Sequence, residues 1–101
     1  MPDKKPITLA DLRAKRDDIL RLAEARGVYN VRVFGSVARG DANADSDVDL
    51  LVCFPDNYRL RDHAGLVVLL EQLLGYPVDI AIEQNLREVY RPHILKDAIP
   101  L

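Results

Sequence analysis

Apolar residues along this chain gather into three short runs of strand character, set between stretches of helical periodicity. Over Val28 to Phe34, Val31 and Val33 alternate with Asn30 and Arg32, the period of two expected of a strand with one buried face. Val48 to Phe54 is an almost unbroken apolar run that opens on Asp-Val-Asp, and it predicts a second strand. Val78 to Ile82 predicts a third, with Val78, Ile80 and Ile82 on one side and Asp79 on the other. Leu9, Leu12, Ile19, Leu20 and Ala23 recur at helical spacing behind Thr8 and Asp11, a variant capping box, and Gly27 is a natural stop. Arg59 to Leu74 predicts another helix, its apolar face formed by Leu66, Leu69, Leu70 and Leu73, with Gly75 and Pro77 marking its end. Val37 to Arg39 predicts the start of a short helix closed by Gly40, Asp41 to Ser46 a polar loop, and Pro55 to Asn57 a turn. A last helix is expected over Asn85 to Lys96, with Pro92 obscuring its start. This order predicts an α/β (α+β) domain: a small mixed β-sheet flanked by helices.

Composition narrows the picture. The 101 residues suit one domain, 1–101, with residues 1–7 expected as a flexible polar leader. A formal charge of −2 and a pI of about 5.6 argue against direct nucleic-acid binding, which calls for a basic face. The single cysteine, Cys53, excludes an internal disulfide and suits a reducing compartment. With no secretory pattern and no apolar run near the ~20 residues that cross a bilayer, the expected location is cytoplasmic, off the membrane. So small a core also leaves room for a homo- or hetero-oligomeric partner to add stability.

The chemistry concentrates between Gly35 and Leu50. Asp47 and Asp49 are two residues apart at the head of a strand, so both carboxylates point to one face while Val48, Leu50 and Val52 pack the other. Two like charges this close are unfavourable without a counter-ion, and oxygen donors of this kind suit magnesium. Asp79 repeats the pattern on the next strand. If the two strands are neighbours, Asp47, Asp49 and Asp79 make a metal-binding and catalytic set able to hold two ions roughly 4 Å apart. Gly35 lets backbone approach a phosphate, and Ser36 adds a hydroxyl donor at the head of a short helix. Arg39, one turn on, is within reach of a phosphate or of an acidic partner surface. Taken singly, each feature is most often a turn, a solvated strand edge or a surface charge. Their order along the chain, each on the element the chemistry needs, favours the functional reading. His63 and His93 stand outside any ligand spacing, and the four tyrosines show no stacking pattern.

Gly35-Ser36, ten intervening residues, then Asp47-Val48-Asp49, with Asp79 on a later strand, resembles the signature of the nucleotidyltransferase superfamily that includes DNA polymerase β. The short length resembles its minimal nucleotidyltransferase (MNT) group. The resemblance implies a polymerase β-like core in which Asp47 and Asp49 bind Mg2+, the triphosphate of the substrate ATP meets Gly35 and Ser36, and Asp79 assists toward the acceptor hydroxyl. Members of that group often serve as antitoxins to an all-helical HEPN toxin, transferring AMP from ATP to a toxin tyrosine. The implied function is therefore a Mg-dependent protein adenylyltransferase of a toxin–antitoxin system. Two alternatives are an antitoxin that neutralises its partner by contact alone, and a nucleotidyltransferase acting on a small molecule.

Overall fold

The structure, a computed structural model, describes residues 5–101. Four strands form one sheet in the order β3-β2-β1-β4: β1 is Tyr29–Phe34, β2 Val48–Cys53, β3 Val78–Ile82 and β4 Ile99–Pro100. β1 runs antiparallel to both β2 and β4, whereas β2 and β3 are parallel. Parallel neighbours need a crossover, and helix α4, Leu60–Leu74, provides it. The α/β class with a small mixed sheet and flanking helices is as the hydrophobic pattern indicates.

Helix entry follows local chemistry. The Thr8 hydroxyl accepts from the Asp11 amide at 3.1 Å, and the Asp11 carboxylate accepts from the Thr8 amide at 3.0 Å, closing a reciprocal cap. The single helix expected behind it is two: α1, Leu9–Ala14, and α2, Arg16–Glu24. Lys15 between them bonds tightly back to Leu12 while its own carbonyl starts the next helix by accepting from Ile19. Its side chain reaches across to the Leu73 carbonyl at 3.3 Å. The leader expected over residues 1–7 is anchored at its end, because Ile7 is buried in the core; residues 1–4 lie outside the described part.

One sheet face carries the core. Val31 and Val33 from β1, Val48, Leu50 and Val52 from β2, and Val78, Ile80 and Ile82 from β3 pack with Leu12, Ile19 and Ala23 and with Leu66, Leu70 and Leu74 of α4. The α4 stripe thus runs at steps of four, Leu66-Leu70-Leu74, with Leu69 and Leu73 only half-buried beside it.

The chain after β3 departs furthest from expectation. Instead of a helix over 85–96, a 3₁₀ turn, Glu83–Asn85, is followed by α5, Arg91–Asp97, which has Pro92 in its first turn. Proline is welcome there because that position has no intrahelical amide bond to lose. The two-residue strand β4, unforeseen, then pairs Ile99 with Val33 and Pro100 with Arg32 on the free side of β1.

Candidate active site

The second sheet face is where the acidic residues collect. Asp49 is the second residue of β2, half-buried between two directly opposed neighbours: Phe34 of antiparallel β1 and Asp79 of parallel β3. Asp79 is exposed, and so is Asp47, which immediately precedes β2. The register sets the Asp49 and Asp79 backbones at one level, as the alternation of each strand requires. The conditional expectation that Asp79 would stand beside Asp49 is met.

Gly35 closes this corner. The chain leaves β1 and enters α3, Gly35–Arg39, through a glycine with φ +72°, a turn that an L side chain resists. A Cβ placed on Gly35 would lie 2.2 Å from Asp49 Oδ2 and 3.1 Å from its Cγ. The backbone at the head of α3 therefore lies against the Asp49 carboxylate, and only the absence of a side chain permits that approach. Ser36 follows, half-buried, and its carbonyl accepts from the amides of Gly40 and Asp41 at 2.9 and 3.0 Å. Gly40, at φ +81°, ends the helix in the left-handed conformation that glycine tolerates.

Electrostatics single out Asp49. Burial, then the charge of Asp79, then that of Asp47 push its pKa up from 3.8 to about 6, and Arg39 works in the opposite direction. Such a shift means that ionised Asp49 lacks sufficient positive charge nearby, and a bound cation would supply it. Hard carboxylate oxygens on an open face are the donors magnesium takes when water and substrate phosphates complete its shell. The donor chemistry fits that ion, although among the described residues no three His, Cys, Asp or Glu side chains already converge into a metal cage.

Arg39 is engaged rather than free. Its Nη1 donates to Asp97 at 2.8 Å and its Nε to Asp41 at 3.2 Å. The pairing with Asp97 joins α3 to the end of α5 across 58 positions of sequence. Asp97 was invisible to motif reading because no periodicity or spacing marks a contact so remote. The loop before Asp47 is self-bonded: the Asn43 amide donates to Ser46 Oγ at 2.9 Å and the Asp45 amide to Asn43 Oδ1 at 2.9 Å. Away from the site, His63 is half-buried, with Nε2 3.1 Å from the Ile80 carbonyl and its ring edge-on to Phe54.

A family model for the nucleotidyltransferase domain matches residues 13–101. The chain belongs to the nucleotidyltransferase domain family. Within reach of that nucleotidyltransferase assignment, the protein adenylyltransferase MntA of Thermococcus cleftensis is 38% identical over 78 residues, covering 77% of this chain and 79% of that protein. A solved structure assigned as a minimal nucleotidyltransferase is 50% identical, with a TM-score of 0.83, and the match covers 94% of this chain and 97% of the other. A toxin–antitoxin crystal structure with AMP-PNP shares the fold at a TM-score of 0.73 and 20% identity, over 83% of this chain and 69% of that one. Among the described residues, no helix of this nucleotidyltransferase is long and apolar enough to cross a membrane.

Proposed function

We propose that this nucleotidyltransferase transfers AMP from ATP to a hydroxyl of a partner protein, a tyrosine of a HEPN-type toxin, and so acts as its antitoxin in the cytoplasm. One observation carries the reading: Asp49 and Asp79 face each other on adjacent strands, with Asp47 one step away and the bare backbone of Gly35 against Asp49. The similarity to a protein adenylyltransferase supports the choice of nucleotide and of a protein acceptor.

In this reading Asp47 and Asp49, with Asp79 completing the set, hold Mg2+, two ions in the fully loaded site. Magnesium there supplies positive charge to the triphosphate and makes the acceptor hydroxyl more acidic. The chain's own residues do the rest. Gly35 and Ser36 offer close backbone and a hydroxyl to the triphosphate, and Arg39 adds a charged donor. Asp79, exposed and beside Asp49, accepts the proton of the incoming hydroxyl. The acceptor oxygen then bonds to the α-phosphorus, and the bond to pyrophosphate breaks.

The test is the intact mass of the co-purified partner from cells making either this chain or its Asp47→Ala, Asp49→Ala variant. The expected result is a partner heavier by one or more AMP units with the unaltered chain alone. A partner left unmodified by both, yet still bound and inhibited by both, would establish neutralisation by contact instead. AMP appearing on a small molecule with no protein modified would point to the small-molecule transferase.

A further inference from the structure

We propose that Asp97, together with Asp41, positions Arg39 as a fixed donor to the triphosphate of the nucleotide, which makes the end of α5 part of the nucleotide site. The proposal rests on the nucleotidyltransferase reading above and names a positioning residue that the motif does not contain.

The geometry is a grip at two points. Asp97 accepts from Nη1 and Asp41 from Nε, so two different nitrogens of one planar guanidinium are held by two carboxylates. That fixes the plane as well as the position of the charge. A guanidinium has five N–H donors, and among the described residues Nη2 donates to nothing. The Arg39 side chain is 48% exposed, and Nη2 is left to donate to a ligand while Nε and Nη1 stay held. Arg39 lies one helical turn beyond Gly35 and Ser36, and its charge is close enough to act on Asp49. A long cationic side chain loses conformational freedom when a ligand orders it. Holding it in place beforehand removes that cost from the binding step.

Asp97 is the stronger of the two anchors. Its side chain is 24% exposed against 62% for Asp41. Its backbone is also fixed by the fold, because Ile99 and Pro100 pair with Val33 and Arg32 of the strand that leads into Gly35. One frame therefore carries both the helix that bears Arg39 and the carboxylate that aims it. An exposed ion pair adds little stability, so a merely structural Arg39–Asp97 contact would leave nucleotide affinity unmoved when broken.

The experiment is calorimetric titration of MgATP, and separately of AMP, into the full chain as the unaltered protein, Arg39→Ala, Asp97→Asn and the double variant. Arg39→Ala is expected to weaken MgATP by about 10-fold and Asp97→Asn by about 3- to 10-fold. The double variant should bind no more weakly than Arg39→Ala, since Asp97 acts through Arg39. AMP, which lacks the outer phosphates, should bind all four alike. Unchanged MgATP affinity in Asp97→Asn, or additive losses in the double variant, overturns the proposal while leaving the transferase reading intact. An unaltered chain that does not bind MgATP overturns both. Should Asp97→Asn melt below the assay temperature, Arg39→Lys decides: it keeps the charge but cannot be gripped at two nitrogens, so full affinity there also overturns the proposal.

Discussion

Asp49 and Asp79 sit directly opposite each other on parallel strands, one half-buried and one exposed, with no intervening residue on that face. The other neighbour of Asp49 across the sheet is Phe34, which offers no positive charge. A divalent cation bound at this pair should therefore stabilise the fold, because it binds the folded chain and not the unfolded one. At about 100 times its Kd the gain is about 2.7 kcal/mol, and a domain of this size moves about 4–8 °C per kcal/mol. Thermal melts with increasing MgCl2 or MnCl2 are expected to climb for the unaltered chain and to stay flat for Asp47→Asn, Asp49→Asn. Equal climbs in both would place the ion elsewhere.

Asp49 also predicts a pH-dependent stability in the absence of metal. Its folded-state pKa is raised to about 6, chiefly by burial. Below the unfolded value, near 4, folded and unfolded chains both carry the proton and the group favours neither. Between these values the unfolded chain has released a proton that the folded chain retains, so stability falls as pH rises, and the loss is complete above about 6. Asp49→Asn removes that penalty. Because the carboxyl is half open to solvent, the expected gain is only about 1 kcal/mol at pH 7.5. Urea unfolding in EDTA should show that gain at pH 7.5, less of it at pH 5.5 and none at pH 4. A gain of the same size at all three would mean that ionisation is not its origin.

What could be read from the chain alone was whatever depends on near neighbours in sequence. The Thr8–Asp11 cap, the short helix expected from Val37 to Arg39 and closed by Gly40, which begins two residues earlier at Gly35, and the alternation that sends Asp79 away from Val78 and Ile80 are all local, and all are present. The adjacency of β2 and β3 enters the sequence reading only as a condition, and the parallel pairing of the two strands meets it. The pieces that were missed depend on distant partners. β4 is two residues long and includes a proline, so it has no periodicity of its own and exists because the edge of β1 is open to it. The Arg39–Asp97 pair is of the same kind. The last helix, expected from Asn85 with its start obscured by Pro92, begins at Arg91 and holds that proline in its first turn.

The α4 stripe gives a direct comparison of the two descriptions. Leu70 is 1% exposed and packs in the core beside Leu66, whereas Leu69, placed on the same face by sequence spacing, is half-buried. Leu70→Ala should destabilise by about 2–5 kcal/mol through lost burial and a residual cavity, against about 1 kcal/mol for Leu69→Ala. Urea midpoints at constant slope would measure both. Equal losses would restore the face formed by Leu66, Leu69, Leu70 and Leu73.

Gly35 separates stability from chemistry most sharply. Gly35→Ala meets two penalties: a left-handed φ of +72°, and a methyl group 2.2 Å from Asp49 Oδ2. The first costs about 1–2 kcal/mol. The second has an easy escape, since a carboxylate is the end of a short side chain on a half-open face and can rotate away. The fold should therefore survive with a loss of about 1–2 kcal/mol. Transfer should not survive, because a carboxylate displaced by about 1 Å no longer meets the geometry that positioning demands, and a misplacement of that size can cost about 100-fold in rate. The check is a paired measurement on Gly35→Ala: circular dichroism melting for the fold, and AMP incorporation into the partner from labelled ATP for the chemistry. Near-normal transfer would mean that the contact between Gly35 and Asp49 is incidental to the site. A chain that fails to fold would mean that the left-handed turn, rather than the carboxylate, is what requires glycine.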